Sequence, residues 1–287
     1  MKLLLLGKNG QVGWELQRTL APLGQVTALG RKELDLTDNQ AIRRTVKTTI
    51  PDIIVNAAAY TSVDRAEEEP ELAMAVNGTA PGILAEEAKK IKALLVHYST
   101  DYIFDGKKKT PYTEEDEPNP INVYGKTKLA GEKAIQETGI AHLIIRTSWI
   151  YGLRGKNFLK IILRLAAEKE ELSIVDDQLG SPTWCRMIAE ATSLLLAMHI
   201  RQPEAKSSIY NLCSSDQTSW HGFARAILAN TDDQNLKSTI VKPIPSDQYK
   251  TRAARPSYSV LDSRKIIKTF NLTLPSWQDS LKLALGL

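Results

Sequence analysis

The chain opens with Met1-Lys2-Leu3-Leu4-Leu5-Leu6-Gly7-Lys8-Asn9-Gly10-Gln11-Val12-Gly13, and this stretch decides its fold. An apolar strand leads directly into three glycines spaced three residues apart, and a helix is predicted to follow them. Glycines in this position permit a tight turn and bring the amides of the helix amino terminus close to a pyrophosphate. The stretch therefore predicts a dinucleotide-binding turn.

The first half of the chain alternates strand-like and helix-like segments, which is the pattern of a parallel sheet covered by helices on both faces. We expect strands at 2–6, 26–29, 52–56, 93–99 and 142–147, and helices at 12–20, 39–49, 71–90 and 122–137. The third of these helices is expected to break near Gly78 and Pro81. The pattern predicts an α/β fold with a Rossmann-type doubly wound parallel sheet.

After Trp149 the elements are spaced less regularly. We expect helices at 158–167, 185–198, 221–229, 262–270 and 276–285, with short strands at 173–175 and 209–212. These elements predict a smaller mixed α/β substrate domain at the carboxyl end of the strands. Residues 1–150 would then form the dinucleotide-binding domain and residues 151–287 mainly the substrate domain. The boundary is soft, because later segments can return to the first sheet.

The composition is that of a cytoplasmic globular protein. Of 287 residues, 43% are hydrophobic and 24% are charged, and the net charge of +4 does not indicate nucleic-acid binding. No apolar run is long enough to cross a membrane. Cys185 and Cys213 lack metal-type spacing and fit reduced thiols. The four histidines are far apart, so no metal site is expected.

The residues after the second strand leave the choice of cofactor open. They read Gly30-Arg31-Lys32, with no acid before Glu33, whereas an acid here would hold the ribose diol of NAD. NADPH is favoured over NADH, with Arg31 on its phosphate. Alternatively, Arg31 is a solvated loop residue and both cofactors serve.

Two further segments have two readings each. The carboxylate of Asp35 would meet the adenine amino group, or it would brace the next helix. The small residues of Ala57-Ala58-Ala59-Tyr60-Thr61 suit a backbone lying against the cofactor, and they equally suit close packing of a helix on the sheet. Both readings can hold for this second segment.

A tyrosine and a lysine stand four residues apart in Tyr124-Gly125-Lys126-Thr127-Lys128, on one face of a predicted helix. We expect the Lys128 ammonium to lower the pKa of the Tyr124 phenol from near 10 to about 7, which takes roughly 4 kcal/mol. Lys128 has a second possible role, holding the nicotinamide ribose. Thr100 ends the fourth predicted strand and should present its hydroxyl beside Tyr124.

With these residues the chain resembles the extended short-chain dehydrogenase/reductases that act on nucleotide sugars, and within them the dTDP-4-dehydrorhamnose reductase family. The similar motifs span nearly the whole chain: 7–13, 55–61, Ser99-Thr100-Asp101-Tyr102-Ile103-Phe104-Asp105-Gly106, 124–128, Arg146-Thr147-Ser148-Trp149, Asp177-Gln178-Leu179-Gly180-Ser181-Pro182-Thr183 and Arg255-Pro256. The resemblance implies reduction of the 4-keto group of dTDP-4-dehydro-β-L-rhamnose to dTDP-β-L-rhamnose by NADPH or NADH.

The resemblance also implies roles for individual residues. It assigns Tyr124 as the proton donor, and it places substrate contacts at Thr100, Asp101 and Trp149. Arg255, by its charge and its Arg-Pro match, is assigned to the diphosphate of the sugar nucleotide. Cofactor contacts fall at Gly10, Gln11, Val12, Gly30, Asp35, Leu36, Ala59, Tyr60, Thr61, Tyr124 and Lys128, beside Gly7 and Gly13 of the turn.

Some family members carry magnesium at a subunit contact built partly from carboxylates near the carboxyl terminus. Glu15 is present here, but no acid follows Asp279, so a metal-bridged dimer of that kind is not expected. A monomer or a homodimer remains open.

Two kinds of rival function are kept. One is another nucleotide-sugar enzyme: a different 4-ketoreductase, a 4-epimerase or a 4,6-dehydratase, although family dehydratases carry a glutamate where this chain has Tyr102. The other is a non-catalytic regulatory subunit of the methionine adenosyltransferase type.

Overall fold

The computed structural model describes residues 1–201, 208–231, 237 and 240–287. Its strands are β1 (Lys2–Leu6), β2 (Gln25–Leu29), β3 (Ile53–Asn56), β4 (Leu94–Thr100), β5 (His142–Thr147), β6 (Ile150–Tyr151), β7 (Glu171–Val175), β8 (Leu179–Gly180), β9 (Thr183–Trp184), β10 (Ser208–Asn211), β11 (Thr218–Ser219) and β12 (Ile240–Ile244). Its helices are α1 (Gln11–Thr19), α2 (Asn39–Thr49), α3 (Val63–Ala66), α4 (Pro70–Met74), α5 (Ala80–Ile91), α6 (Val123–Glu137), α7 (Phe158–Glu168), α8 (Cys185–Arg201), α9 (Trp220–Ala229), α10 (Arg264–Phe270) and α11 (Trp277–Leu285).

The main sheet has six strands in the order β10-β5-β4-β3-β1-β2, and every neighbouring pair is parallel. The chain leaves β1 in one direction to form β2 and returns on the other side of β1 to form β3. The crevice beyond the carboxyl ends of β1 and β3 is therefore the switch point where such sheets bind ligands. The predicted Rossmann-type fold is confirmed.

Both faces of this sheet are buried, as the apolar strands require. Alternate residues of β1, such as Leu3 and Leu5, join one core cluster with Leu16 of α1 and Ile188 of α8. The intervening residues of the same strands face the opposite way. They join a second core cluster on the other face of the sheet, where α2, α5 and α6 cover them. This cluster contains Leu4, Leu6, Ile42, Val46, Ile54, Leu84, Leu95, Ile135 and Ile144.

The second half of the chain contributes to two different cores. Strand β10 adds an edge strand to the main sheet by pairing with β5, and α8 and α10 pack on that sheet. Helices α7, α9 and α11 instead surround a separate cluster that includes Tyr151, Phe223 and Trp277. Residues after 151 thus both extend the first sheet and build a smaller unit beside it.

The break expected near Gly78 and Pro81 takes another form. Ala75–Thr79 makes a π-helical turn that joins α4 to α5 without interrupting the helical path. Pro81 follows this turn in α5, and it has no amide hydrogen to give to a helical hydrogen bond. Such a turn absorbs the irregularity that the sequence pattern indicated.

Among the helices of the described residues, none combines the length and the apolar character that crossing a membrane requires.

Candidate active site

The glycine turn holds the helix α1 amino terminus against the end of β1. Gly7 has a φ of +85°, in the left-handed region that favours glycine, and its carbonyl oxygen accepts a hydrogen bond from the Gly10 amide at 2.9 Å. A Cβ on Gly13 would lie 2.1 Å from the Gly7 oxygen, so only glycine lets α1 approach this closely. Gly13 therefore serves packing of the turn.

A cavity of about 520 Å³ lies at this switch point, a size typical of small-molecule sites. Eleven of the residues assigned to the cofactor line it: Gly7, Gly10, Gln11, Val12, Gly30, Arg31, Asp35, Leu36, Ala59, Tyr60 and Thr61. Gly13, Tyr124 and Lys128 are not part of this lining. The residues present fit a dinucleotide, because the glycine turn brings the amino terminus of α1 to the cavity wall.

The rim beyond β2 carries the groups that bear on cofactor choice. The Arg31 side chain is 78% exposed, and its Nε lies 3.7 Å from Asp35. Glu33 folds back to accept the Gly30 amide at 2.9 Å and to pair with Lys8 at 2.8 Å. These two bonds lower the pKa of Glu33, the Lys8 contact most. Glu33 is thus engaged within the protein, whereas Arg31 stands at the cavity edge.

Asp35 lines the cavity and also braces the following turn. Its Oδ1 accepts hydrogen bonds from the amide and the hydroxyl of Thr37, each at 2.9 Å. These bonds to Thr37 lower the pKa of the Asp35 carboxyl. The side chain that caps α2 is Asp38, which accepts the Ala41 amide. The bracing reading of Asp35 therefore describes its contacts in the structure.

Asn77 holds the far wall of the cavity, and sequence reasoning missed it. Its carboxamide accepts the Tyr60 amide at 2.8 Å and donates to the Tyr60 carbonyl at 3.0 Å. It also donates to the Thr127 hydroxyl at 3.2 Å, which ties this wall to α6. The only available signal was an asparagine inside a predicted helix, where that residue is disfavoured.

The reacting groups meet where β4 ends and α6 begins. Asn122 caps α6 by accepting the Gly125 amide at 2.8 Å. A Cβ on Gly125 would lie 2.1 Å from the Tyr102 carbonyl oxygen, so the glycine lets this helix come close to the end of β4. In this position the Tyr124 phenol and the Thr100 hydroxyl are neighbours, and the hydroxyl lowers the pKa of the phenol. The structure thus brings these two residues together.

The prediction that Lys128 lowers the pKa of the Tyr124 phenol is wrong for this structure. Burial raises the pKa of Tyr124 to about 12, the Thr100 hydroxyl lowers it less, and the Asp101 charge raises it further. Lys128 instead donates to the Tyr98 carbonyl at 2.6 Å and lies 3.1 Å from His97. Burial lowers the pKa of Lys128 itself to about 8, against the charge of Glu132. Helical spacing aligned the two residues, but the amine reaches the sheet.

Asp101 is buried directly behind the reacting hydroxyls. It accepts hydrogen bonds from Thr100 at 3.1 Å and Ser148 at 3.0 Å. Burial raises the pKa of Asp101 to about 6, although bonds from Ser259, Ser148 and Thr100 pull it down. Asp101 is 3% exposed. Its position suits holding Thr100 in place.

Arg255 is half-buried and paired with Asp64. Its guanidinium donates to both carboxylate oxygens of Asp64, at 2.7 and 3.2 Å. The charge of Arg255 acts on Tyr102, whose ring stands edge-on to Tyr124 with centroids 5.8 Å apart. A cation thus lies near the reacting end.

Trp149 follows β5 and lies flat on another indole. Its ring stacks on Trp220 with centroids 3.4 Å apart and planes 3° from parallel. Its edge covers Gly180, where a Cβ would lie 2.3 Å from the indole. The Asp-Gln-x-Gly-x-Pro-Thr motif thereby contacts Trp149, which links two of the similar motifs.

Within the described residues, no group of three or more histidine, cysteine, aspartate or glutamate side chains is gathered to hold a metal ion. Cys185 and Cys213 are free and buried. Chemically, the arrangement offers a dinucleotide cavity, a protonated phenol beside a hydroxyl, and nearby cations. These are the groups needed to deliver a proton while a carbonyl is reduced.

Comparison with known proteins extends over nearly the whole chain. Residues 1–286 match the family described as the RmlD substrate binding domain. The dTDP-4-dehydrorhamnose reductase of Burkholderia thailandensis is 48% identical over 285 residues, covering 97% of this chain and 96% of that protein. The enzyme of the same name from Shigella flexneri is 44% identical over 288 residues, covering 98% and 96%. The solved structure of the Bacillus anthracis dTDP-4-dehydrorhamnose reductase in complex with NADP is 34% identical, with a TM-score of 0.90 over 99% of this chain and 98% of that one.

Proposed function

Because the chain belongs to the RmlD substrate-binding-domain family, we propose that it is an NAD(P)H-dependent oxidoreductase that reduces the 4-keto group of dTDP-4-dehydro-β-L-rhamnose to give dTDP-β-L-rhamnose. The observation that carries the proposal is the closeness of the Tyr124 phenol to the Thr100 hydroxyl at the carboxyl end of β4, beside the buried Asp101 that accepts from Thr100. It supports a proton donor and an orienting hydroxyl beyond the carboxyl end of a parallel strand, where such sheets do their chemistry.

The residues of the glycine turn and of the β2 and β3 loops would hold the dinucleotide. When bound, the reduced nicotinamide supplies the hydride. Gly10, Gln11 and Val12 present the helix α1 amino terminus to the pyrophosphate. Arg31 would take the 2′-phosphate of NADPH, because its exposed side chain lies at the cavity edge with only a 3.7 Å contact to Asp35, while Glu33 is held by Gly30 and Lys8. We therefore favour NADPH over NADH.

Tyr124 would donate the proton to O4 of the sugar. With a pKa of about 12 the phenol is fully protonated near neutral pH, which is the form a donor requires. Its proton passes to the oxygen as negative charge develops there. Thr100 orients the carbonyl, and Asp101 holds Thr100 from behind.

Lys128 would stabilise the phenolate that remains, through the nicotinamide ribose hydroxyls. Its side chain is 1% exposed and tethered at the end of β4, so it needs little further ordering. Trp149 would lie against the hexose. Arg255 would leave Asp64 to meet the diphosphate, because a guanidinium binds phosphate oxygens with the same paired geometry that it uses for a carboxylate.

The rival dehydratase chemistry lacks a base at the expected place. Tyr102 occupies it, and burial raises the pKa of this phenol above its ordinary value. A phenol that stays protonated cannot take the C5 proton that elimination requires.

The test is an absorbance assay at the nicotinamide band with dTDP-4-dehydrorhamnose and each reduced cofactor in turn. We expect loss of NADPH absorbance matched mole for mole by dTDP-rhamnose. Sugar interconversion without net cofactor oxidation would identify an epimerase instead. No turnover, together with altered kinetics of an added methionine adenosyltransferase, would identify a regulatory subunit.

We also propose that the enzyme works in the cytoplasm as a monomer or homodimer. Its partners would be small molecules, the dTDP-sugar and the nicotinamide cofactor, and not nucleic acid. Free buried Cys185 and Cys213 suit a reducing compartment. Cell fractionation and light scattering on the purified protein test these points, and recovery with a nucleic-acid fraction would contradict them.

A further inference from the structure

Three polar side chains lie buried in a row between the main sheet and α6. Asn56 ends β3, and the parallel register places it opposite His97 of β4. Lys128 reaches the same place from α6. Each of the three is 1% exposed, so none has water to satisfy its hydrogen bonds.

The row forms a continuous chain of hydrogen bonds. Asn56 Oδ1 accepts the Ala58 amide at 3.2 Å, and its Nδ2 lies 3.1 Å from His97 Nδ1. His97 Nε2 lies 3.1 Å from Lys128 Nζ, which donates to the Tyr98 carbonyl at 2.6 Å. Ala58 also lines the dinucleotide cavity. The chain therefore connects the cavity wall to the lysine of the reacting end.

The bond from the Ala58 amide to Asn56 indicates where the protons lie. Because Asn56 Oδ1 accepts the Ala58 amide, its NH₂ group must donate to His97 Nδ1. The imidazole then carries its proton on Nε2 and points it at Lys128. Only an uncharged amine has the lone pair to accept that proton. A Lys128 ammonium would require the proton on Nδ1 and a rotated Asn56 carboxamide, with two donors facing each other at Ala58.

We propose that His97 is a positioning residue for Lys128, and that the proton on its imidazole moves between Nε2 and Nδ1 as Lys128 loses or gains its charge. The idea rests on the proposed reduction, in which Lys128 stabilises the phenolate of Tyr124. Asn56 sets the preference, because its bond to Ala58 favours the Nε2 proton and hence the uncharged lysine.

The charged groups around Lys128 leave both states within reach. Glu132, one helical turn along α6, favours the ammonium, but it is itself held by Arg146 of β5 in a buried ion pair with a closest contact of 2.7 Å. Further titratable groups at this end of the site are Tyr124 of α6, Tyr98 of β4, and Asp101 and Tyr102 beyond β4. Burial lowers the pKa of His97 well below its ordinary value, so the ring stays neutral. Burial likewise lowers the pKa of Lys128 to about 8.

The direct test reads the imidazole nitrogens by NMR in the full-length protein labelled with ¹⁵N-histidine, without cofactor. The His97 signals are those lost in His97→Gln. Between about pH 6 and about pH 10, a range that brackets a lysine of lowered pKa, we expect the Nδ1 and Nε2 signals to exchange character once. In Lys128→Met they should show the Nε2 proton throughout. A single tautomer at every pH in the unmodified protein, or an exchange that persists in Lys128→Met, overturns the proposal.

A second variant tests whether the position of the His97 proton affects the pH dependence of catalysis. Asn56→Asp offers only acceptors, so it should hold the His97 proton on Nδ1 and leave Nε2 to accept from a Lys128 ammonium. We expect the alkaline limb of kcat/KM to move up by roughly one to three pH units, with the Nδ1 tautomer seen by NMR. An unmoved limb with the tautomer locked would overturn the link to catalysis. Since the NMR readout needs no substrate, failure of the proposed reaction would leave it intact.

Discussion

Lys128 donates a hydrogen bond to the carbonyl oxygen of Tyr98 at 2.6 Å. Its amine is therefore held against β4, two residues before Thr100. The phenol of Tyr124 is left to meet Thr100 instead. A phenol kept protonated by burial is suited to giving a proton in a reduction. The lysine then acts after the transfer, on the charge that the phenol retains.

Removing the phenol hydroxyl tests its role as the proton donor. Tyr124→Phe should lower kcat/KM by roughly 10²–10⁴, the usual contribution of a general acid, with little change in thermal stability. Steady-state loss of NADPH absorbance measures it. Tyr102→Phe, in the ring edge-on to Tyr124, is the matched control and should keep activity close to that of the unmodified enzyme. Near-full turnover by Tyr124→Phe would contradict the assignment.

Thr100 of β4 and Thr147 of β5 are paired in the sheet, so their variants distinguish a hydroxyl that acts in the reaction from one that does not. Thr100→Val removes the hydroxyl beside the Tyr124 phenol, and should lower kcat by about ten- to a hundredfold, as for loss of one strong hydrogen bond to the substrate carbonyl. Thr147→Val removes a buried hydroxyl that has no partner among the described residues, so activity should persist. Equal losses in the two variants would show that Thr100 acts only through packing.

Cofactor preference should depend on the cation at the cavity rim. Arg31→Ala should lower kcat/KM for NADPH by about ten- to a hundredfold and leave NADH almost unaffected, because only NADPH carries the 2′-phosphate. Arg44→Ala, which removes an exposed arginine paired with Asp38 on α2, is the control. If the ratio of the two efficiencies stays the same in Arg31→Ala, this arginine is a solvated loop residue.

The ion pair between Arg255 and Asp64 predicts a change in substrate affinity. Arg255→Met should raise KM for the sugar nucleotide with a smaller effect on kcat, because it removes uniform binding of the diphosphate. Asp64→Asn should not raise KM, since it frees the guanidinium. Arg252→Met, which breaks the neighbouring pair with Glu68, serves as the control. A KM for Arg255→Met within error of the control would show that the diphosphate lies elsewhere.

The buried carboxyl of Asp101 should make stability depend on pH. The pKa of this carboxyl is raised to about 6 in the folded protein, above the unfolded value near 3.8. Its contribution to the free energy of unfolding is therefore fully present below pH 3.8 and is lost as the pH rises through 6. Charging this group should cost about 3 kcal/mol of unfolding free energy by neutral pH. Urea unfolding of the unmodified protein and of Asp101→Asn should differ in this way between acid and neutral pH. Parallel curves for the two proteins would show that Asp101 ionises as freely as in water.

Much of the fold could be predicted from local patterns. The apolar run before Gly7 and the alternation of elements predicted the main sheet and its helices, since strand and helix periods are properties of neighbouring residues. The π-helical turn at Ala75–Thr79 was seen only as an irregularity. Its geometry depends on how α4 and α5 pack against α6, which no local pattern contains.

The cofactor residues were also within reach of the sequence, because a turn between a strand and a helix gathers them from short stretches of chain. Eleven of them line one cavity. Asn77 was missed since its partners, Tyr60 and Thr127, lie 17 and 50 residues away. A side chain that joins distant segments leaves no spacing to read.

The sequence by itself determined the Rossmann-type sheet, the dinucleotide turn and the pairing of a phenol with a hydroxyl at one strand end. Only the tertiary structure decided what the buried lysine touches and which way its charge acts. Helical spacing aligns Tyr124 with Lys128 but says nothing of the sheet beneath them. There, His97 and Tyr98 of β4 contact the amine, and burial outweighs the attraction that the spacing suggested.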